Sequence, residues 1–167
     1  MNFDGSSNSR DADKMVAGGE ESHFRALESL YSEAPINQLF PSRLVISGAG
    51  EAQINFDVLP SYFHAAGAMH GTAYFKMLDD AAFYAANSLV TDRFLLTTAF
   101  NLLFTRPIKS GPIVAYGRWI SGRRRVFVAD ARLVDSTGEE VARGTGTFMR
   151  SKFALSGLPG YSFGTDS

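Results

Sequence analysis

Two adjacent carboxylates, Asp79 and Asp80, are the residues of this sequence best suited to acid–base or nucleophilic chemistry. They lie in the segment 71–89, where apolar residues recur at helical spacing, so the two side chains point about 100° apart. Asp80 falls opposite the apolar stripe beside Lys76, where a solvated i,i+4 ion pair stabilises by about 0.2–0.5 kcal/mol. Asp79 falls at the edge of the stripe. The helical pattern therefore predicts different roles for the two carboxylates.

A carboxylate at the edge of an apolar stripe is partly removed from water. Desolvation raises the pKa of Asp79 and makes its carboxylate more basic, as a general base or a nucleophile requires. The other interpretation is structural, with Asp79 capping a backbone group or pairing with an arginine. Helical spacing alone leaves both interpretations open.

Composition limits the classes of function. The chain has 167 residues, enough for one domain with a sizeable core. Its formal net charge of −1 predicts no bulk attraction to nucleic acid or to an anionic membrane. The sequence has no cysteine, which excludes thiolate metal sites and cysteine nucleophiles, and its three scattered histidines predict no metal site. Without a targeting signal or a long apolar run, we expect a cytoplasmic location.

The remaining pattern predicts the elements that position the carboxylates. Residues 1–20 and 153–167 read as flexible tails, so the single domain spans residues 21–152. A short helix is expected from an N-cap at Ser22, and two strands follow Pro41. After the central helix, apolar alternation predicts a long half-buried strand and three more strands, joined by short turns into an antiparallel meander. The expected fold class is α+β, a curved antiparallel sheet wrapped around one long central helix.

Three motifs follow one another at a distinctive spacing. The first is a polar residue, a glycine, a His-Gly pair and a carboxylate, formed here by His64, Gly67, His70, Gly71 and Asp79. The second is a strand that begins near Thr97 and ends in Arg106 and a proline, and the third is a closing strand with Gly144 and Gly146. Over about residues 43–150, the chain thereby resembles the hotdog-fold acyl-CoA thioesterases of the phenylacetic-acid-degradation (PaaI) type.

The resemblance implies an enzyme that hydrolyses an acyl- or aryl-CoA thioester to the free acid and CoA. It also implies a homodimer, or a homotetramer built as a dimer of dimers, with active sites at the subunit interface and no metal or redox cofactor. The backbone N–H of Gly71, at the helix start, would stabilise the negative charge that develops on the thioester carbonyl oxygen. Asp79 of the other subunit would serve as the nucleophile or as the base that activates water.

The remaining site residues are also carried over from the resemblance. Thr97 matches a hydroxyl residue that places the water or the carboxylate, and His70 matches the histidine that organises the loop. His64 departs from the family, because relatives usually have an asparagine there whose amide helps to hold the thioester carbonyl. A histidine can donate a hydrogen bond too, but its charge changes between about pH 5 and 8. The alternative function is therefore a non-catalytic hotdog module that binds acyl-CoA or regulates a partner.

Three further residues are candidates for substrate binding. Phe83 lies one turn beyond Asp79, where it either packs in the core or lines the acyl pocket. Arg123 and Arg124 belong to a basic turn that either is solvated or holds the CoA phosphates through charge-assisted hydrogen bonds. The sequence contains no glycine-rich phosphate loop that would support the second interpretation.

Overall fold

The protein is described here by a computed structural model that covers residues 7–162, with side chains from residue 18 onward. Single 3-10 turns lie at Pro60–Tyr62 and Leu155–Gly157. The longer elements, in chain order, are α1 (Ser7–Glu33), α2 (Ile36–Leu39), β1 (Ser42–Gly48), β2 (Glu51–Asp57), α3 (Gly71–Asn87), β3 (Arg93–Phe104), β4 (Pro112–Ser121), β5 (Val126–Val134) and β6 (Glu140–Ala154).

One antiparallel sheet contains all six strands in the order β1-β2-β4-β5-β6-β3, and α3 packs across its inner face. The apolar stripe of α3 faces this sheet, and Ala81, Ala82 and Ala85 have no exposed surface. The predicted fold, a curved antiparallel sheet around one central helix, is confirmed.

The approach of α3 to the sheet is closest at Gly117 on β4. A Cβ atom at Gly117 would overlap the backbone carbonyl of Ala81. Only glycine lets this strand pass so near to the helix, and alanine at position 81 keeps the helix surface flat. The small residues of both elements therefore fix the distance between helix and sheet.

The predicted order of the strands is wrong for β3. Four successive strands were expected to form one meander, but β3 pairs with β6 rather than with β4, and only β4, β5 and β6 follow one another. Segment 105–111 connects the end of β3 to the start of β4, which lies elsewhere in the sheet. Two hydrogen bonds hold this segment in place: Met69 N–H donates to the Ile108 carbonyl (2.8 Å), and Val58 N–H donates to the Gly111 carbonyl (3.1 Å). Because β3 is an edge strand, most of its residues are exposed rather than half-buried.

The first helix differs from the expected one. Helix α1 begins at Ser7, so most of the segment expected to be a tail is helical, while residues 1–6 of that tail lie outside the described residues. Ser22 is no N-cap, since its hydroxyl donates to the Gly18 carbonyl inside the helix (3.0 Å). Although α1 is 27 residues long, no helix in the described part of the chain is long and apolar enough to cross a membrane.

The C-terminal segment also differs from the expected tail. Strand β6 continues to Ala154, and both Leu155 and Tyr161 are buried. The Leu155 N–H donates to the Asp92 carbonyl (3.2 Å), and the Tyr161 hydroxyl lies 2.8 Å from Nδ1 of His23. The chain therefore stays attached to the core beyond the predicted boundary at residue 152, and residues 163–167 lie outside the described range.

The two edges of the sheet differ in how far their backbone groups are hydrogen-bonded. At the β1 edge, α1 satisfies the backbone of Ile46, whose N–H donates to Glu28 Oε1 (2.7 Å) and whose carbonyl accepts from Arg25 (3.1 Å). At the other edge, no strand of residues 7–162 pairs with the outer side of β3. Side chains thus block one edge against further strand pairing, and the other edge stays open.

The close contact at Gly117 makes a test of the fold. Gly117→Ala is expected to lower the free energy of unfolding by about 1–3 kcal/mol, because the added methyl group forces helix and sheet apart. Urea unfolding measures this loss. Gly48→Ala is the matched control, since a Cβ atom in that strand meets nothing within 4 Å. Equal effects of the two substitutions would contradict the proposed packing.

Candidate active site

Asp79 and Thr97 come together across the interface between α3 and β3. The Thr97 hydroxyl donates a hydrogen bond to Asp79 Oδ1 at 3.0 Å. Burial raises the pKa of Asp79 to about 6; the Thr97 hydrogen bond opposes this rise, the neighbouring Asp80 adds to it, and Lys76 opposes it. Asp79 is therefore a carboxylate that is ionised at neutral pH and more basic than an exposed aspartate.

A second group of site residues surrounds the start of α3. His64 and Gly71 share an open cleft of about 430 Å³ with Tyr74, Phe104 and Arg106. The Gly71 N–H is the first of the helix, and no residue within 7–162 accepts its hydrogen bond. A Cβ atom at Gly71 would lie 3.3 Å from the Phe104 ring, so glycine leaves room at this point. The cleft thus presents a backbone donor at the positive end of a helix dipole.

The two histidines of the loop have different surroundings. His70 is the N-cap of α3, and its Nδ1 accepts a hydrogen bond from the Thr72 N–H (3.0 Å). His64 lies in the cleft, and its Nδ1 accepts from the Ala66 N–H (3.1 Å). With Nδ1 used as an acceptor, the proton of each neutral ring lies on Nε2. His70 therefore orders the helix start, and His64 has a donor available.

Gly71 and Asp79 are separated within one chain. They lie eight residues apart on the same helix, a distance of about 12 Å along its axis at 1.5 Å per residue. A reacting carbonyl carbon must lie about 3–3.5 Å from its nucleophile. The donor and the carboxylate of one chain therefore cannot act on the same carbonyl group.

Comparison with known proteins identifies the fold and a related superfamily. Residues 66–142 match the thioesterase superfamily. The Escherichia coli PaaI protein of the phenylacetic acid degradation operon superposes with a TM-score of 0.74 at 18% identity, covering 81% of this chain and 98% of that chain. The chain therefore has the hotdog fold, and its central part is similar to the thioesterase superfamily. The predicted resemblance to PaaI-type hotdog thioesterases is thereby confirmed, at low sequence identity.

Two further solved structures share the hotdog fold. A conserved protein of Pseudomonas aeruginosa has a TM-score of 0.67 and 25% identity, covering 71% of this chain and 94% of that chain. A thioesterase of Haemophilus influenzae has a TM-score of 0.68 and 16% identity, covering 77% and 89%. No curated protein matches the chain. The superfamily match supports a thioester hydrolase, with thioester hydrolysis as the general class of reaction.

The expected surroundings of Asp80 are wrong. Asp80 does pair with Lys76, but the pair is not solvated, because Tyr31 of α1 and Asn37 of α2 cover it. Burial raises the pKa of Asp80, while Lys76 and the hydroxyl of Tyr31 oppose the rise. Helix α3 is therefore covered by the sheet on one side and by α1 and α2 on the other. The periodicity of one helix cannot reveal this second cover.

None of the three candidate substrate-binding residues lines the cleft at the start of α3. Phe83 is buried against Phe94 and Phe148, with ring centroids 4.9 and 5.9 Å away. It lies one turn after Asp79 on α3, and Phe148 is the cross-strand partner of Thr97. Arg123 is exposed in the β4–β5 turn, where its guanidinium lies 4.5 Å from the Trp119 ring. Arg124 is exposed beside it. One protomer of the hotdog domain does not bring these residues to the cleft.

Sequence reasoning missed two aromatic residues of the cleft. The Tyr74 hydroxyl donates to the Arg106 carbonyl (2.9 Å), and the Tyr74 and Phe104 rings meet edge to face at 5.3 Å. The position of Tyr74, one turn after Gly71, is readable from the helical stripe. The role of Phe104 was not readable, because it depends on the pairing of β3 with β6.

The Asp79–Thr97 contact predicts how the carboxylate titrates. Asp79 should titrate near pH 6, and Thr97→Val should raise this midpoint, because the hydroxyl stabilises the ionised form. Carbon NMR of the side-chain carboxyl, assigned with Asp79→Asn, measures the midpoint. Thr98→Val is the control, since the Thr98 hydroxyl bonds the Thr147 carbonyl instead. A midpoint near 4 in the wild type would contradict the desolvation of Asp79.

Proposed function

We propose that this protein hydrolyses an acyl- or aryl-CoA thioester to the free acid and CoA, in active sites that two subunits of a homodimer complete. The observation that carries the proposal is that one helix presents both a raised-pKa carboxylate, Asp79, and an unoccupied backbone donor, Gly71 N–H, in a chain that is similar to the thioesterase superfamily. Thioester hydrolysis involves no oxidation or reduction, and the proposed site calls for no metal or redox cofactor.

The start of α3 is suited to hold the thioester carbonyl. Attack on the carbonyl carbon places negative charge on the oxygen, and a fixed N–H donor together with a helix dipole stabilises that charge. Gly71 supplies both, and the missing side chain lets the carbonyl approach closely. In this proposal His64 takes the place of the family's asparagine, and its Nε2–H is the second donor.

Asp79 of the second subunit carries out the attack. As a nucleophile, its carboxylate displaces the CoA thiolate to form an anhydride, which water then hydrolyses. As a base, it takes a proton from the water that attacks the carbonyl carbon. Both routes need the ionised carboxylate, so a pKa of about 6 keeps it active at neutral pH. Thr97 holds the carboxylate or its water in position.

The open edge of the sheet is the proposed dimer contact. Strand β3 exposes its outer edge together with the side chains of Leu96 (45%), Leu103 (58%) and Phe104 (54%). Pairing two such edges would satisfy their backbone groups and cover apolar surface. The capped β1 edge offers no equivalent contact. Association into a dimer of dimers and a cytoplasmic location stay predictions.

The exposed turn at the end of β4 is the proposed contact for CoA. Arg124 and the Trp119-stacked Arg123 present guanidinium groups that suit phosphate oxygens. Phe83, one turn beyond Asp79 and packed on Phe94 and Phe148, lines the acyl pocket in this proposal.

Loss of the Asp79 carboxylate tests the reaction. Asp79→Asn should lower the release of free thiol from a panel of CoA esters by at least about 100-fold, since an amide is neither base nor nucleophile. Asp57→Asn, at an exposed position of β2, is the control and should leave hydrolysis unchanged. Near-normal hydrolysis by Asp79→Asn would refute the assignment. Tight acyl-CoA binding by a wild-type protein that releases no thiol would favour the non-catalytic binding module instead.

Mixed dimers test whether two subunits share each site. Gly71→Pro removes the N–H at the first helical position, where proline fits, and the extended backbone of His70 suits a following proline. Gly71→Pro and Asp79→Asn should each be inactive alone. Refolding them together should restore about a quarter of wild-type activity, because half of the dimers carry one intact site.

Gly71→Ala is the control for this experiment, since it adds a side chain but keeps the N–H. It should retain far more activity than Gly71→Pro. The absence of any restored activity in the mixture, with dimers verified by mass, would contradict a shared site.

A further inference from the structure

Lys76 is a buried cation in the middle of helix α3. Only 9% of its surface is exposed, which is rare for a lysine unless its charge is paired. Its Nζ donates to Asp80 Oδ2 and, at 2.6 Å, to Asn37 Oδ1, and it lies 3.4 Å from the Tyr31 hydroxyl. The tyrosine ring centroid is 5.1 Å away. The ammonium group thus has a charged partner and neutral oxygen partners.

The partners of Lys76 come from elements outside the sheet-and-helix core. Tyr31 lies in the last turn of α1, and its carbonyl accepts from the Asn37 side-chain amide of α2 at 2.5 Å. The Tyr31 hydroxyl also lies 2.6 Å from Ser42 Oγ at the start of β1. The two N-terminal helices are therefore fastened to α3 through one polar network, and that network ends on Asp80.

This network lies directly beside Asp79. Asp80 is the next residue, and Lys76 lies one helical turn before Asp79, where i,i+3 side chains are neighbours. The charged groups that face Asp79 within residues 18–162 are Lys76 and Asp80, both on α3, while β3 contributes the neutral Thr97. From α1, the neutral hydroxyl of Tyr31 faces Asp80 rather than Asp79. In such a partly buried setting, charges interact more strongly than in water.

We propose that Lys76 and Asp80, held in place by Tyr31 and Asn37, are a positioning pair that fixes the charge around Asp79 and so tunes its reactivity. The catalytic part of this inference rests on the proposed function. Neither residue touches the substrate. The N-terminal helices act on the site through this pair, because their side chains keep the pair buried and oriented.

Two substitutions that remove opposite charges test the proposal. Asp80→Asn removes a negative charge and should lower the titration midpoint of the Asp79 carboxyl by at least about 0.5 pH unit, and Lys76→Gln should raise it by a similar amount. The low-pH limb of kcat/KM should move with each midpoint, changing the rate on that limb by about threefold or more. Lys76→Arg, which keeps the charge, should stay near the wild-type midpoint.

The opposite directions of the two expected shifts in the Asp79 midpoint distinguish electrostatic tuning of Asp79 from a merely structural role of the pair. A purely structural pair would lower thermal stability in both variants and leave the midpoint unmoved, or move it in one direction. Either result in folded variants would overturn the proposal. Should one single variant fail to fold, the double variant Lys76→Gln, Asp80→Asn compared with the other single variant isolates the same charge.

Carbon NMR of Asp79 keeps this test independent of turnover. Opposite shifts in a protein without thiol release would support the charge coupling and refute the proposed function. Normal thiol release with an unmoved Asp79 midpoint would refute the positioning pair and leave the proposed function in place.

Discussion

Helix α3 lies so close to the sheet that no side chain fits between Gly117 and the Ala81 carbonyl, and the rest of the structure depends on this distance. Close packing removes water from the sheet-facing side of the helix. Asp79, at the margin of this contact, is therefore desolvated without being sealed off, and its pKa rises. The start of α3 is fixed separately, by the His70 N-cap and by the contact of the first turn with Phe104. The desolvation of Asp79 thus follows from the packing of α3 on the sheet, and the exposed donor of Gly71 follows from how the helix begins.

Local periodicity was sufficient to predict the elements that carry the chemistry. The stripe on α3 separated Asp79 from Asp80, and the alternation of apolar residues located the strands. Strand partners were not predictable in this way, because pairing of β3 with β6 is a non-local choice that alternation does not encode. For the same reason the Phe104 ring could not be assigned to the cleft. The site residues named from motif spacing were located, but their grouping depended on these long-range pairings.

The error at Asp80 has a physical cause. A helical projection assigns each residue to one of two sides, apolar or solvated, and Asp80 fell on the second. The structure adds a third layer, in which α1 and α2 cover that side with a tyrosine and an asparagine. A polar face can be buried when its charges are paired and hydrogen-bonded, and hydrophobicity alone cannot distinguish such a face from a solvated one. The tyrosine comes from the part of α1 that the sequence predicted as a short helix, but the surface that this helix covers was not predictable.

The raised pKa of Asp79 shows how the site balances reactivity against stability. More hydrogen-bond donors than Thr97 would stabilise the ionised carboxylate but would make it a weaker base, and deeper burial would leave it protonated at neutral pH. With a pKa of about 6, the folded state favours the neutral carboxyl more than the unfolded chain does. The stabilisation from this group is therefore complete below about pH 4 and is lost as the pH rises through about 6. At neutral pH the fold holds Asp79 ionised at a cost in stability, which the tightly packed helix and sheet around it must offset.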